Sequence, residues 1–200
     1  MSIGKGKVGA AGQLNEQKAL HARRWAFSRR TPTFFNWFES PSIFKRIGPY
    51  IKKGLVIADI GSGWGYYTFA LADQVGPKGK VYSVDLSEKC ITSIQRKADK
   101  RDCHNIEAHP STATDLRFIK NRSVDLVFAN GLLCSMENDR ESAVKEMKRI
   151  LKPQGLAYIS LGAQPPWGLV DEAEWNKILK EFKVKKGGIY KELWVLVALK

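Results

Sequence analysis

The ten residues Val56-Ile57-Ala58-Asp59-Ile60-Gly61-Ser62-Gly63-Trp64-Gly65 restrict what this chain can fold into more than any other stretch. An apolar, β-rich run passes into three glycines spaced G-x-G-x-G, and a segment with helical spacing follows. Glycines let a backbone approach a ligand where a Cβ would collide, and the free N–H groups at the start of the next helix point at that ligand. A strand, a glycine turn and a helix in this order predict a nucleotide-type site. Asp85 closes the next strand candidate, twenty positions after Gly65, where a carboxylate accepts both hydroxyls of a ribose. The fingerprint of a nicotinamide dinucleotide requires Gly or Ala at the third site of G-x-G-x-x-G, and this chain has Tyr66 there. Asp59, two residues before the first glycine, would repel a pyrophosphate and suits a ligand with a cationic end.

From Leu55 onward short β-rich runs alternate with helical segments, the pattern of a parallel sheet covered on both faces. The strands are predicted at Leu55–Ile60, Lys80–Asp85, Ile106–Ala108, Val124–Phe128 and Leu156–Leu161, with helices at Tyr66–Gln74, Ser87–Arg101 and Arg140–Leu151. Trp175, Ile178, Leu179 and Phe182 mark a further helix, and Lys183–Lys186 and Leu193–Leu199 form a closing hairpin joined through Gly187-Gly188. The expected fold is α/β: a Rossmann-like, seven-stranded, mostly parallel sheet with an antiparallel last strand and helices on both faces. Residues 1–50 read as a basic leader containing aromatic residues and helices, ahead of a ligand-binding domain over 51–200. One leader helix follows Asn15, and Ser40-Pro41 starts another through Ile43, Phe44 and Ile47.

Two hundred residues suffice for one core of this size. The stretch Leu193–Leu199 is too short to span a bilayer, and Met1–Lys7 lacks the apolar segment of a signal peptide, so the reading is of a cytoplasmic protein without a membrane span. Cys90, Cys103 and Cys134 are odd in number and widely spaced, which predicts reduced thiols and no zinc site. No run of Asp, Glu or His after the fourth strand suits a divalent metal, and none is expected. Lys and Arg number 33 against 20 Asp and Glu, a net charge of +13. An anionic partner and a merely solvated basic surface both fit that excess.

The stretch Leu55–Leu161 resembles the core of class I S-adenosylmethionine-dependent methyltransferases, especially the ubiquinone/menaquinone C-methyltransferase type and its small type 11 relatives. The residues that carry the resemblance are Asp59-Ile60-Gly61-Ser62-Gly63-Trp64-Gly65, Val84-Asp85-Leu86-Ser87, Asp115-Leu116-Arg117-Phe118, Ser123-Val124-Asp125-Leu126-Val127 and Ile150-Leu151-Lys152-Pro153-Gln154-Gly155. It implies S-adenosylmethionine as cofactor, its cationic amino-acid end near Asp59. Gly61, Gly63 and Gly65 then form the turn beside the methionine part, Asp85 binds the ribose and Leu86 touches the adenine. Thr112 and Ala113 would lie along the adenine edge. Thr112 stands where relatives often have Asp, and Leu133-Cys134-Ser135 where they often have histidines. Asn130 opens that last segment without the Asn-Pro-Pro-aromatic motif of amino-methylating DNA enzymes.

A sulfonium methyl is already activated, so transfer mainly requires the nucleophile to be held in line in a dry site. His109, Asn130 and Cys134 are the candidates for a proton-transfer or catalytic role, each against a packing role; His21 and His104 are weaker. The acceptor is expected to be a small or medium-sized molecule. RNA or protein recognised by the basic leader is the alternative, and a protein that binds the cofactor without turnover is a third reading. Trp25, Phe27, Phe34, Phe35, Trp37 and Phe38 in the leader either pack onto the domain or stack on the substrate.

Overall fold

The computed structural model describes residues 43–136, 138–161, 170, 172–189 and 193–200. The unit considered below runs from Phe44 to Lys200. Residues 43–47 are helical and lead into a 3-10 turn, Gly48–Tyr50, as expected for the short helix before the first strand. Ser40 and Pro41, the helix after Asn15 and the leader aromatics lie outside the described residues.

Seven strands form one sheet: β1 (Val56–Ile60), β2 (Lys80–Asp85), β3 (Ile106–Pro110), β4 (Val124–Asn130), β5 (Leu151–Ser160), β6 (Phe182–Ile189) and β7 (Leu193–Leu199). Their order is β3-β2-β1-β4-β5-β7-β6. The first five run parallel, and β7 is inserted antiparallel between β5 and β6. After β1, four helices accompany them among the described residues: α1 (Tyr66–Val75), α2 (Glu88–Lys100), α3 (Arg140–Ile150) and α4 (Glu172–Lys180). Right-handed crossovers place α1 and α2, which lead away from β1 toward β3, on the opposite face from α3, which leads the other way from β4 to β5.

The helices form where the pattern says they should. In α2 the Ser87 side chain caps the N-terminus by accepting from the Cys90 N–H (3.4 Å), Glu88 sits in the first turn, and Lys97 and Lys100 in the last. Cys90, Ile91, Ile94 and Ala98 recur at helical spacing and are buried. On α3 the buried stripe is Ala143, Val144, Met147 and Ile150, on α4 Trp175 and Ile178. The two faces of the sheet differ in chemistry. Ala58, Ile60, Val127, Ala129 and Ile159 point to the core that α3 and α4 complete. The other face carries a ladder of rings, with Tyr67 of α1 5.1 Å from Phe128, Phe128 stacked on Tyr158 at 5.3 Å, and Tyr158 stacked on Trp194 at 6.1 Å. Arg46 lies over the Trp194 ring and donates to the Tyr158 hydroxyl (3.1 Å).

β3 and β4 each run two residues beyond the sequence reading, to Pro110 and Asn130, and three larger departures involve strand pairing. β5 begins at Leu151 rather than Leu156: Leu151 pairs with Val124, and the register then jumps, so that Leu126 faces Leu156 and Pro153-Gln154-Gly155 fall in the irregularity between. Phe182 opens β6 instead of closing α4, and its burial in the same core satisfies the i+7 spacing that suggested a helix. Gly187 and Gly188 are strand residues paired with Val195 and Trp194, not the hairpin turn.

Gly65 lies where the start of α1 packs closely against α2. Its φ is +81°, and a Cβ there would stand 2.6 Å from Ile94 Cγ1 and 3.3 Å from Phe69 Cε2. Gly65→Ala is therefore expected to lower unfolding free energy by about 2–3 kcal/mol, from a strained backbone plus displacement of Ile94. Urea denaturation checks this; a midpoint unchanged from the parent would refute the packing role.

Candidate functional site

The connections from β1 lead to β2 on one side and, after β3, back to β4 on the other, so the carboxyl end of β1 is a switch point, where crevices open in such sheets. The turn that follows β1 has left-handed backbone at Gly61, Gly63 and Gly65 (φ +79°, +55° and +81°). Gly61 and Ser62 donate their N–H groups to the Val84 carbonyl at 2.8 and 3.0 Å, which lashes the turn to β2. A Cβ built on Gly63 would meet nothing within 4 Å. The side of the turn that Gly63 presents is thus open space. The Trp64 indole N–H is buried with no hydrogen-bond partner among the described residues, a donor unsatisfied in the protein alone.

Asp85 joins this turn to the next helix. One carboxylate oxygen accepts from the Gly63 N–H and the other from the Ser87 N–H, both at 2.9 Å. A carboxylate has about four acceptor positions, so two remain for a pair of ligand hydroxyls. Leu86 beside it is 78% exposed, a large apolar side chain left in solvent at the mouth of the crevice. The segment after β3 is held against Asp85 by the Ser111 N–H, which donates to the Asp85 carbonyl (3.1 Å). There the Thr112 hydroxyl accepts from the Thr114 N–H (3.3 Å), and Ala113 is buried. Asn130 ends β4 with its Oδ1 accepting from the Ser160 hydroxyl (2.7 Å), which itself receives the Gly131 N–H (3.2 Å). The expected cofactor residues Asp59, Gly61, Gly63, Gly65, Asp85, Leu86, Thr112, Ala113 and Asn130 thus occupy β1, β2, β4 and the connections after β1, β2 and β3.

Asp59 is 2% exposed. Its carboxyl faces Thr68 of α1 at 2.6 Å, the Thr68 hydroxyl is 3.2 Å from that of Ser83, and Ser83 donates to the hydroxyl of Ser62 in the glycine turn (2.8 Å). Burial pushes the Asp59 pKa up to about 7, the Thr68 hydroxyl opposes that shift and the charge of Asp85 adds to it. Sequence reasoning did not find Thr68, Ser83 or Ser160. The available signal was a serine at an inward position of an otherwise apolar strand, in Val81–Asp85 and again in Leu156–Leu161.

The three candidates for a catalytic role do not come together. His109 on β3 and Asn130 on β4 are three strands apart, roughly 14 Å at the usual strand spacing. His109 is bonded to Glu107 (2.7 Å) and stacked on Phe118 at 3.9 Å. Cys134 donates to the Gly131 carbonyl (3.1 Å), and burial raises its thiol to about 11, which leaves little thiolate at neutral pH. His104 is exposed and paired with Asp102, while His21 lies outside the described residues. Among the described residues no cluster of three or more His, Cys, Asp or Glu is placed to hold a metal ion.

Comparison with known proteins agrees with this geometry. Residues 57–155 match the family model described as a methyltransferase domain. The chain is similar to a demethylmenaquinone methyltransferase of Geobacillus stearothermophilus, 35% identical over 115 residues that cover 58% of this chain and 48% of the relative. A demethylmenaquinone methyltransferase of Listeria welshimeri is 30% identical over 145 residues, covering 71% and 61%. The chain therefore spans about half to three fifths of the length of these relatives. In fold it is similar to a SAM-dependent methyltransferase from Aquifex aeolicus, with a TM-score of 0.69 and 24% identity, covering 80% of this chain and 89% of that one.

The raised pKa of Asp59 ties stability to pH. The folded carboxyl keeps its proton to about pH 7, whereas an unfolded Asp loses it near 3.9. Its contribution is complete below the lower value and is lost as pH rises through the higher one. Asp59→Asn cannot ionise, so its stability relative to the parent should climb between about pH 4 and pH 7 by on the order of 4 kcal/mol, and be level above. Denaturant titrations of both proteins across that range test it; a constant difference would show that Asp59 does not titrate there.

Proposed function

The chain belongs to the class I S-adenosylmethionine-dependent methyltransferases, and from that premise we propose that it transfers a methyl group to a small or medium-sized acceptor by in-line displacement. The observation that carries the proposal is the pairing of Asp85, whose carboxylate has two acceptor positions left, with the solvent-exposed Leu86 at the open glycine turn. A ribose and a planar base are what such a pair suits. Asp85 would hold the ribose hydroxyls, Leu86 and the Ala113 N–H the adenine, with Thr112 along its edge, and Gly61 and Gly63 the amino-acid end beneath which Asp59 lies. The unfilled space at Gly63 and the unpaired Trp64 N–H are further room and a further donor for it.

S-adenosylmethionine supplies an activated methyl on a sulfonium sulfur. What the protein adds is orientation, a dry pocket and control of which nucleophile enters. Cys134, protonated at neutral pH, and His109, on the far side of the sheet, are poorly suited to act as a base, so the reading assigns none. Asn130, fixed by Ser160, would line the acceptor side of the crevice. The leader aromatics Trp37 and Phe38 would contribute to the choice of acceptor. The names of the demethylmenaquinone methyltransferases support a small acceptor; the net charge of +13 favours RNA as the second reading.

Two outcomes are expected. Asp85→Ala should weaken S-adenosylhomocysteine binding by about 2–4 kcal/mol, since charge-assisted bonds to the ligand and the brace on Gly63 are lost together; calorimetry showing an unchanged dissociation constant would relocate the ribose. Isotope-labelled methyl groups offered with fractionated cell extract should enter the small-molecule fraction. Trp37→Ala with Phe38→Ala should slow that transfer at least tenfold, about 1.4 kcal/mol in the barrier. Label in RNA, with binding that falls steeply with salt and is lost on Arg23→Ala/Arg24→Ala, would instead establish the RNA reading.

A further inference from the structure

Four buried or half-buried groups, the Asp59 carboxyl and the hydroxyls of Thr68, Ser83 and Ser62, make three successive contacts of 2.6, 3.2 and 2.8 Å. Each hydroxyl has a single proton to donate. If Asp59 is ionised, Thr68 must donate to it, while the angles of the Ser83–Ser62 contact suit Ser83, and not Ser62, as its donor. The 3.2 Å contact between Thr68 and Ser83 would then contain no proton, and two lone pairs would oppose each other where both residues are fully buried. If Asp59 is a neutral acid, three protons fill three contacts, with every group donating toward the turn: Asp59 to Thr68, Thr68 to Ser83, Ser83 to Ser62.

We propose that Asp59 is held as the neutral acid and, through Thr68 and Ser83, positions Ser62 and hence the glycine turn for the cofactor, so that ionisation of Asp59 breaks the chain and loosens the turn. These are positioning residues. The inference rests on the reading that this turn binds S-adenosylmethionine. The surroundings agree with a neutral acid. The facing strands bring Ser83 and Phe128 opposite Asp59, and β2 adds the negative Asp85 at its end. From α1 come Thr68 and the phenols of Tyr66 and Tyr67, while the carboxylate of that helix, Asp73, is exposed. Among the described residues of these elements the one cation is Lys80, which opens β2 opposite Val56, away from Asp59, and is paired with Glu107 (2.7 Å). Burial pushes the same proton affinity upward, toward about 7.

The test measures S-adenosylhomocysteine binding by calorimetry from pH 6 to pH 8.5 for the parent, Asp59→Asn and Thr68→Val. The asparagine amide donates to Thr68 at every pH, so it serves as a reference that carries any titration of the ligand itself. The affinity of the parent relative to Asp59→Asn is expected to fall about tenfold over this range, with an inflection near pH 7. Thr68→Val, which removes the middle of the chain, should lose that inflection. A ratio that is flat or rises with pH, or an unaltered inflection in Thr68→Val, would overturn the proposal. Infrared difference spectra of the ligand-free protein supply an independent readout: a carboxylic-acid carbonyl band at pH 6 that Asp59→Asn removes is expected, and its absence overturns the neutral acid. If no protein binds S-adenosylhomocysteine while that band is present, the cofactor reading fails and the protonated chain stands.

Discussion

The grip of the Asp85 carboxylate on the Gly63 and Ser87 N–H groups is the interaction on which the rest of the site depends. It joins the turn after β1 to the start of α2 through one side chain. A charge-assisted bond of this kind is roughly twice as strong as a neutral one, and here it orients the carboxylate as well as the turn. The backbone can follow only because three positions within five residues adopt left-handed φ. Gly65, lacking a side chain of its own, lets Ile94 of α2 pack directly against the start of α1, so the geometry of the crevice is set by packing behind it.

Most of the frame is legible in the sequence because it is written in short-range terms. The alternation of β-rich and helical runs, the cap at Ser87 and the glycine spacing identify the sheet, its helices and the residues on the crevice. Less legible is whatever depends on a partner distant in sequence. The start of β5 was missed because Leu151 completes a helical stripe and also pairs with Val124, 27 positions earlier; periodicity sees only the first. Phe182 was misread for the same reason, since burial from a strand and from a helix leave the same spacing. The Asp59–Thr68–Ser83–Ser62 chain draws on β1, α1, β2 and the turn, and only folding reveals that four polar residues converge there.

The two faces of the sheet divide the work between them. The face under α3 and α4 is mostly aliphatic, with Trp175 and Phe182 among its buried residues. The other holds the polar chain beside Tyr67, Phe128, Tyr158 and Trp194, whose stacked rings extend the packing from α1 across to β7. Aromatic side chains fill that layer without crossing the sheet. A polar group in such a layer is tolerated only with its hydrogen bonds complete.

The placement of β7 has a consequence for how the protein comes into being. β5 is the outer strand of a parallel sheet until β7 pairs with it, and β7 is synthesised after the other six strands of the sheet. Throughout synthesis of the intervening residues the apolar edge of β5 offers unpaired N–H and C=O groups to any extended neighbour. Closing that edge requires contacts between residues some forty positions apart, as between Leu156 and Ala198, so it is both late and slow. When β7 docks it also brings β6 to the rim, where Lys183, Lys185 and Lys186 are exposed. A nascent sheet that is adhesive at this border becomes, once β7 docks, one whose border repels its own kind.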